Sequence, residues 1–218
     1  MADAAERRAR LGAARLYLVI DAAAAAAVVP AALEGGVDVV QLREKHASDD
    51  EIVRVGGEVL AWCEEHDALF IVNDRPDLAG ACGAHGVHVG QDDEPLDSVR
   101  SIVGHHTIVG ISTHSPAQVD AAEESTADYL GVGPVYETPT KQGRPAVGLD
   151  LVRHAAAHAR KPWFAIGGID ARRAPLVVGA GAGRIAVVRA IRDADDPRAV
   201  ASSLRAVVES EPLVGQAQ

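Results

Sequence analysis

Several small groups of polar residues carry spacings that chemistry on phosphorylated small molecules needs. In Gln41-Leu-Arg-Glu-Lys45 the residues Gln41, Arg43 and Lys45 lie at i, i+2 and i+4, which sets three side chains on one side of an extended chain. A forked guanidinium beside an ammonium suits a diphosphate, and an amide can read the edge of a heterocycle. The plainer alternative is a solvated charged turn in which Glu44 and Asp49 neutralise the cations.

Asp74 and Asp93 follow two consecutive apolar runs. If those runs are neighbouring strands about 4.8 Å apart, both carboxylates approach one point. Two adjacent carboxylates repel unless a proton or a cation lies between them. Magnesium is commonly held by one or two carboxylates together with substrate phosphate. The alternative for Asp74 is a turn that caps a helix starting near Pro76.

Further along, the segment 137–144 offers Thr138, Thr140 and Lys141 on a loop stiffened by Pro139 and Pro145. Hydroxyls and a lysine so placed can hold a phosphate, although an ordinary surface loop would have the same composition. We expect this segment to act as a lid that closes when ligand is bound. Gly167-Gly168 and Val188-Arg189 end two later apolar runs and offer backbone N–H groups to a phosphate, glycine permitting close approach. A tight turn would explain the two glycines equally well. Ser112 and His114 end another run, and His114 is taken as a wall residue. The pairs Arg7-Arg8 and Arg172-Arg173 look like solvated helix faces.

These groups need a scaffold that brings them to one place. Apolar runs at Leu16–Ile20, 37–43, 69–74, 87–90, 107–112, 129–135, 163–168 and 185–189 alternate with helical stretches. Eight strand–helix units at about 27 residues each predict a parallel sheet closed into a compact (β/α)8 TIM barrel. A doubly wound open sheet is the competing arrangement, but no GxGxxG turn follows the first run. In a barrel the chemistry gathers at the C-terminal ends of the strands, where nearly every polar cluster above falls. The expected division is an extension over 1–14, a single catalytic barrel over 15–210 and a tail over 211–218. Residues 1–14 carry no nameable chemistry.

Composition narrows the partners. Of 218 residues 48% are apolar, 24% charged and only 3% aromatic, so a core of Val, Ile, Leu and Ala is expected. A formal charge of −10 argues against nucleic acid or an anionic membrane. No run is long and apolar enough to span a bilayer, and Met1 to Arg15 has no signal-like apolar stretch. With Cys63 and Cys82 as buried free thiols, a cytoplasmic protein is predicted, and a homo-oligomer is compatible with the sequence. Only three of the 21 basic residues are lysines. Lys45 and Lys141 both fall in the groups above, where a compact, strongly hydrated ammonium has a use. Together the groups describe two phosphate-binding regions and one metal, a site suited to joining a phosphorylated molecule to another that carries a diphosphate leaving group.

The motifs Gln41-Leu-Arg-Glu-Lys45, Ile71-Val-Asn-Asp74, Gly86-Val-His-Val-Gly-Gln-Asp-Asp93, Gly131-Val-Gly-Pro-Val-Tyr136, Thr138-Pro-Thr-Lys141 and Ile166-Gly-Gly-Ile169 resemble, in order, those of the thiamine-phosphate synthase family, over about residues 16–191. The resemblance implies a (β/α)8 barrel that joins 4-amino-5-hydroxymethyl-2-methylpyrimidine diphosphate to a thiazole phosphate with Mg²⁺, releasing pyrophosphate. It implies that Gln41, Arg43, Lys45 and Asn73 contact the pyrimidine diphosphate, with Ser112 and Lys141 as further diphosphate contacts. Asp74 and Asp93 are then the magnesium ligands. Thr138, Thr140, Gly168, Val188 and Arg189 form the cradle of the thiazole phosphate, Arg189 standing where many relatives carry serine. The implied mechanism is dissociative: diphosphate leaves, assisted by Arg43, Lys45 and Lys141, and the thiazole nitrogen captures a methylene cation. Such a route needs no side-chain nucleophile. The rivals are a thiazole tautomerase, which has a histidine where this chain has Pro134, and a non-catalytic phosphate sensor. Pro134, Asp74 and Asp93 favour the synthase over the tautomerase, and two carboxylates beside a diphosphate clamp favour it over the sensor.

Overall fold

The computed structural model describes residues 4–138 and 145–210. Eight parallel strands close into one barrel in sequence order, as expected: β1 Leu16–Ile20, β2 Val39–Leu42, β3 Leu69–Asn73, β4 Gly86–Val89, β5 Ile108–Thr113, β6 Tyr129–Val132, β7 Trp163–Ile166 and β8 Ile185–Val187. Helices α2 Ala22–Glu34, α3 Asp49–Glu65, α4 Pro76–Ala79, α5 Leu96–Val103, α6 Pro116–Glu123, α7 Gly148–His158, α8 Ala174–Gly179 and α10 Pro197–Glu209 surround it. Two further helices are α1 Ala4–Ala13, before the first strand, and the one-turn α9 Arg189–Arg192 after the last. No described helix is long and apolar enough to cross a membrane. Cys63 and Cys82 are buried and unpaired, as the sequence led us to expect.

The strands divide the apolar side chains into two layers. Leu16, Leu18 and Ile20 point outward and pack with Val28, Val29, Val59 and Leu204 of the helices. Tyr17, Val19, Val39, Leu69, Ile71, Ile108, Tyr129, Phe164 and Ala186 fill the inside of the barrel. Leu11 and Ala14 of the α1 segment join this inner group from below. Arg184 holds that segment in place by donating to the carbonyls of Ala14 (3.0 Å) and Gly12 (2.7 Å). On β3, β4 and β5 the inward positions change from apolar to polar towards the C-terminal end. Leu69 and Ile71 lead to Asn73 on β3, Gly86 to His88 on β4, and Ile108 and Gly110 to Ser112 on β5. A polar upper layer therefore rests on an apolar floor.

Aspartates secure the opposite end. Asp38 accepts from the backbone N–H of Arg15 (2.7 Å) and Leu16 (2.9 Å) and from Arg205. Asp128 accepts from Val109 N–H (2.8 Å), Arg8 (2.8 Å) and Arg100 (2.9 Å). Both tie strand starts to outer helices, the stabilising role usual for that face of a barrel.

His85, also at this end, is buried and accepts the Phe70 N–H at Nδ1 (2.9 Å). Burial, helped by the charges of Arg7 and Arg10, pushes its pKa down to about 4. The unfolded chain therefore binds this proton more readily than the folded one, so stability is complete above the unfolded value of about 6.5 and is lost as pH falls towards 4. Urea unfolding at pH 7 and pH 5 should show a loss of about 2 kcal/mol from this group. His85→Asn, whose side-chain oxygen can still accept from Phe70, should lose correspondingly less. Equal losses in the two proteins would remove His85 from the account.

Candidate active site

A cavity of about 310 Å³ opens at the C-terminal end of the barrel. Its floor and one wall come from Tyr17, Gln41, Arg43, Asn73, His88 and Ser112, on β1 to β5. The opposite wall comes from Pro134, Thr138, Gly167, Gly168, Val188 and Arg189, after β6 to β8. Of the residues picked out in the sequence, Gln41, Arg43, Asn73, Ser112, Thr138, Gly168, Val188 and Arg189 line this one space. Lys45, Asp74 and Asp93 sit outside its wall on the same rim, Lys45 and Asp93 exposed and Asp74 half-buried. Residues 139–144, which include Thr140, Lys141 and most of the expected lid, lie outside the described residues.

The plainer readings of the first two groups do not match the local structure. Glu44 does not neutralise the cations beside it, because its carboxylate accepts from the backbone N–H of Ala22 (3.2 Å), Lys45 (2.8 Å) and His46 (3.0 Å). Burial works against its charge, yet these N–H groups outweigh that and hold its pKa below the ordinary value. Asp49 is taken by Arg75 through bonds of 2.7 and 2.9 Å, which lowers its pKa. Asp74 caps nothing: the residue before α4 is Arg75, and no side chain caps that helix. Asp74 instead adopts a left-handed φ of 57°, and its N–H donates to the His88 carbonyl (2.9 Å). Aspartate is among the non-glycine residues that adopt this region most readily, and here the turn sets Asp74 on the rim.

The Asp74 carboxyl lies against that of Asp93, within hydrogen-bond reach. Burial first, then the Asp93 charge and that hydrogen bond, push the Asp74 pKa up to about 6, against the opposing effects of Asn73 and Arg43. Asp93 is oriented by the Gly90 N–H, which donates to its Oδ2 (2.7 Å). Two carboxyls so close hold either a shared proton or a cation. With oxygen donors alone, the pair suits a hard divalent ion that keeps water and substrate oxygens as its other ligands. No cluster of three or more candidate metal ligands occurs among the described residues, so an ion here draws its remaining ligands from elsewhere.

The loops on the far wall are pinned together. Val135 N–H donates to the Ile166 carbonyl (2.8 Å) and Tyr136 N–H to that of Gly167 (3.0 Å). Gly168 has a φ of +64°, and an added Cβ there would meet the Tyr136 Cβ at 2.8 Å, so the turn needs glycine. After β8 the chain enters α9 at Arg189, the short extra helix that in many barrels completes a phosphate site with the loops after strands seven and eight.

Arg173 is a correction. It is no solvated helix face: it lines the cavity, donates from Nη1 to the Gly168 carbonyl (2.7 Å) and stacks over the Tyr136 ring at 4.7 Å. The residue precedes α8, which begins only at Ala174, so its side chain turns back over the glycine loop. His114 does line the wall, its ring N–H donating to the Gly133 carbonyl. Sequence reasoning missed Tyr17, His88 and Tyr129, which sit inside unbroken apolar runs.

The chain matches the family model described as thiamine monophosphate synthase over residues 16–191. It is 49% identical to the thiamine-phosphate synthase of Mycolicibacterium smegmatis, across 92% of this chain and 95% of that protein. Against the thiamine-phosphate synthase of Gloeobacter violaceus the identity is 51%, across 90% of this chain and 58% of that longer protein. Among solved structures it superposes on the thiamine phosphate pyrophosphorylase of Pyrococcus furiosus with a TM-score of 0.82 and 34% identity, covering 93% and 98% of the two chains.

Proposed function

The chain belongs to the thiamine monophosphate synthase family, and on that premise we propose how its pocket performs the synthase reaction. The two walls take different substrates. Gln41, Arg43, Lys45, Asn73 and Ser112 receive a methylpyrimidine diphosphate, with Lys141 as a further diphosphate contact. Thr138, Thr140, Gly168, Val188 and Arg189 hold the phosphate of the thiazole. To that second set we add Arg173, whose guanidinium lies against Gly168.

Asp74 and Asp93 are the residues that would hold Mg²⁺, which when bound neutralises charge on the diphosphate. Arg43, on the cavity wall and close enough to act electrostatically on Asp74, stabilises the negative charge that grows on the leaving diphosphate. The cavity holds the thiazole nitrogen next to the pyrimidine methylene, so that carbon–nitrogen bond formation follows carbon–oxygen cleavage without diffusion. Val19, Phe164 and Ile166, which also line the cavity, limit water that would otherwise capture the methylene cation. The unit that acts is residues 15–210, in the cytoplasm.

The observation that carries this reading is one cavity with cationic residues on both walls and a carboxylate pair at its rim. The test is turnover with both phosphorylated substrates and Mg²⁺. Thiamine phosphate and pyrophosphate should form in equal amounts, with none when either substrate is omitted. Release of pyrophosphate without coupling, or no reaction at all, would overturn it.

A further inference from the structure

Five side chains inside the barrel form one continuous hydrogen-bonded chain. Gln41 Nε2 donates to the Tyr17 hydroxyl (2.7 Å), which lies 2.9 Å from the Tyr129 hydroxyl. That hydroxyl is 3.0 Å from His88 Nδ1, and His88 Nε2 is 2.9 Å from Ser112 Oγ. All five residues are buried, none more than 8% exposed, and all five line the cavity.

The strands are built to admit these rings. A Cβ at Gly110 would collide with the Tyr129 ring and stand 2.6 Å from His88 Nδ1, and one at Gly131 would stand 3.3 Å from His88 Cε1. Phe164 holds Tyr17 and Tyr129 edge-on, at 5.1 and 5.9 Å between centroids. The rings therefore keep their hydroxyls in line.

With the Gln41 amide nitrogen towards Tyr17, one consistent direction of donation runs along the whole chain when each buried hydroxyl spends its proton on the next member. An amide nitrogen has hydrogens and no acceptor, so Tyr17 accepts from Gln41. Burial raises the pKa of both phenols above the ordinary value, so each keeps its single proton. The Tyr17 proton then goes to the Tyr129 oxygen, and the Tyr129 proton to His88 Nδ1. A ring that accepts at Nδ1 carries its proton on Nε2, and this proton goes to Ser112 Oγ. The Ser112 proton is left over, on a residue that lines the cavity.

We infer that Gln41, acting through Tyr17, Tyr129 and His88, fixes Ser112 as a hydrogen-bond donor towards the ligand, and that Tyr129 and His88 are positioning residues for it. Were the Gln41 oxygen turned to Tyr17, every bond would reverse, His88 would carry its proton on Nδ1, and Ser112 would donate to His88. Ser112 would then offer an incoming oxyanion lone pairs instead of a proton. The role of the donor rests on the proposed synthase reading, in which Ser112 faces diphosphate; the polarity of the relay does not.

The test reads the two parts separately. Nitrogen-15 spectra of the histidine rings in ligand-free protein, assigned by loss of the His88 signals in His88→Gln, should show His88 protonated on Nε2. Gln41→Glu, whose carboxylate only accepts, should move that proton to Nδ1. Tyr129→Phe keeps the ring packing and removes the donor to Nδ1, so it should give a mixture of tautomers. In turnover, Ser112→Ala should lower kcat about tenfold, and combining it with Tyr129→Phe should lose little more than Ser112→Ala alone, because both act on one donor. Tyr129→Phe should lower kcat by less, with KM nearly unchanged. A wild-type ring protonated on Nδ1, or the same tautomer in wild type and Gln41→Glu, would overturn the relay. The expected tautomers without any coupling activity in the wild-type enzyme would uphold the relay and overturn the synthase reading instead.

Discussion

Asp74→Asn is expected to lower turnover at least about a hundredfold, the scale seen when charge stabilisation at a reacting centre is lost. Asparagine is the informative replacement because Asp74 sits at a φ of 57°. Asparagine tolerates that region with little penalty, whereas alanine would add backbone strain of its own. The Asp74 N–H bond to the His88 carbonyl is unaffected, so circular dichroism and the unfolding midpoint should change little. Asp93→Asn should behave alike, since a side-chain oxygen can still accept from Gly90 N–H. Calorimetric titration with MgCl₂ should show weaker binding in both variants. Undiminished turnover of either, or of the wild type in excess chelator, would remove the metal from the proposed site.

The barrel was legible because eight apolar runs alternate with helical stretches, and a chain that alternates so regularly has few ways to bury both faces of its sheet. The spacing of Gln41 and Arg43 was legible for a similar reason. Both fall where a strand gives way to a loop, so a period of two stands out. Tyr17, His88 and Tyr129 were not legible. Parallel barrel strands are buried on both faces, so no polar alternation marks which residues point inward. Leu16-Tyr-Leu-Val-Ile20 reads as uniform core, yet Tyr17 belongs to the inner layer and its neighbours to the outer.

Other misses have local causes. The sixth strand ends at Val132, short of the expected residue 135, because Pro134 has no N–H for the ladder. α9 is only four residues long, too short for any helical period. Asp38 and Asp128 did not stand out in the sequence, because their partners Arg205, Arg8 and Arg100 are remote from them. Arg173 was misread because its neighbour Arg172 is exposed, and a charge pair before a helix gives no sign that one member folds back.

That misreading supplies the sharpest test of the two-walled pocket. Arg43→Ala is expected to lower kcat about 10- to 100-fold, the effect of one charge-assisted contact worth about 1.5–3 kcal/mol. The loss should fall on kcat because the contact strengthens as charge moves onto the leaving diphosphate. Arg173→Ala is expected to raise KM for the thiazole phosphate by about tenfold while leaving kcat within a few-fold, because the phosphate it would hold does not react. Its stacking on Tyr136 and its bond to the Gly168 carbonyl also fix the shape of the cradle. Arg173→Lys therefore should recover only part of the affinity, since an ammonium cannot both stack and fork. Initial rates measured with each substrate varied in turn separate these effects. If Arg43→Ala and Arg173→Ala instead raised both KM values equally, the two walls would not divide the substrates as proposed.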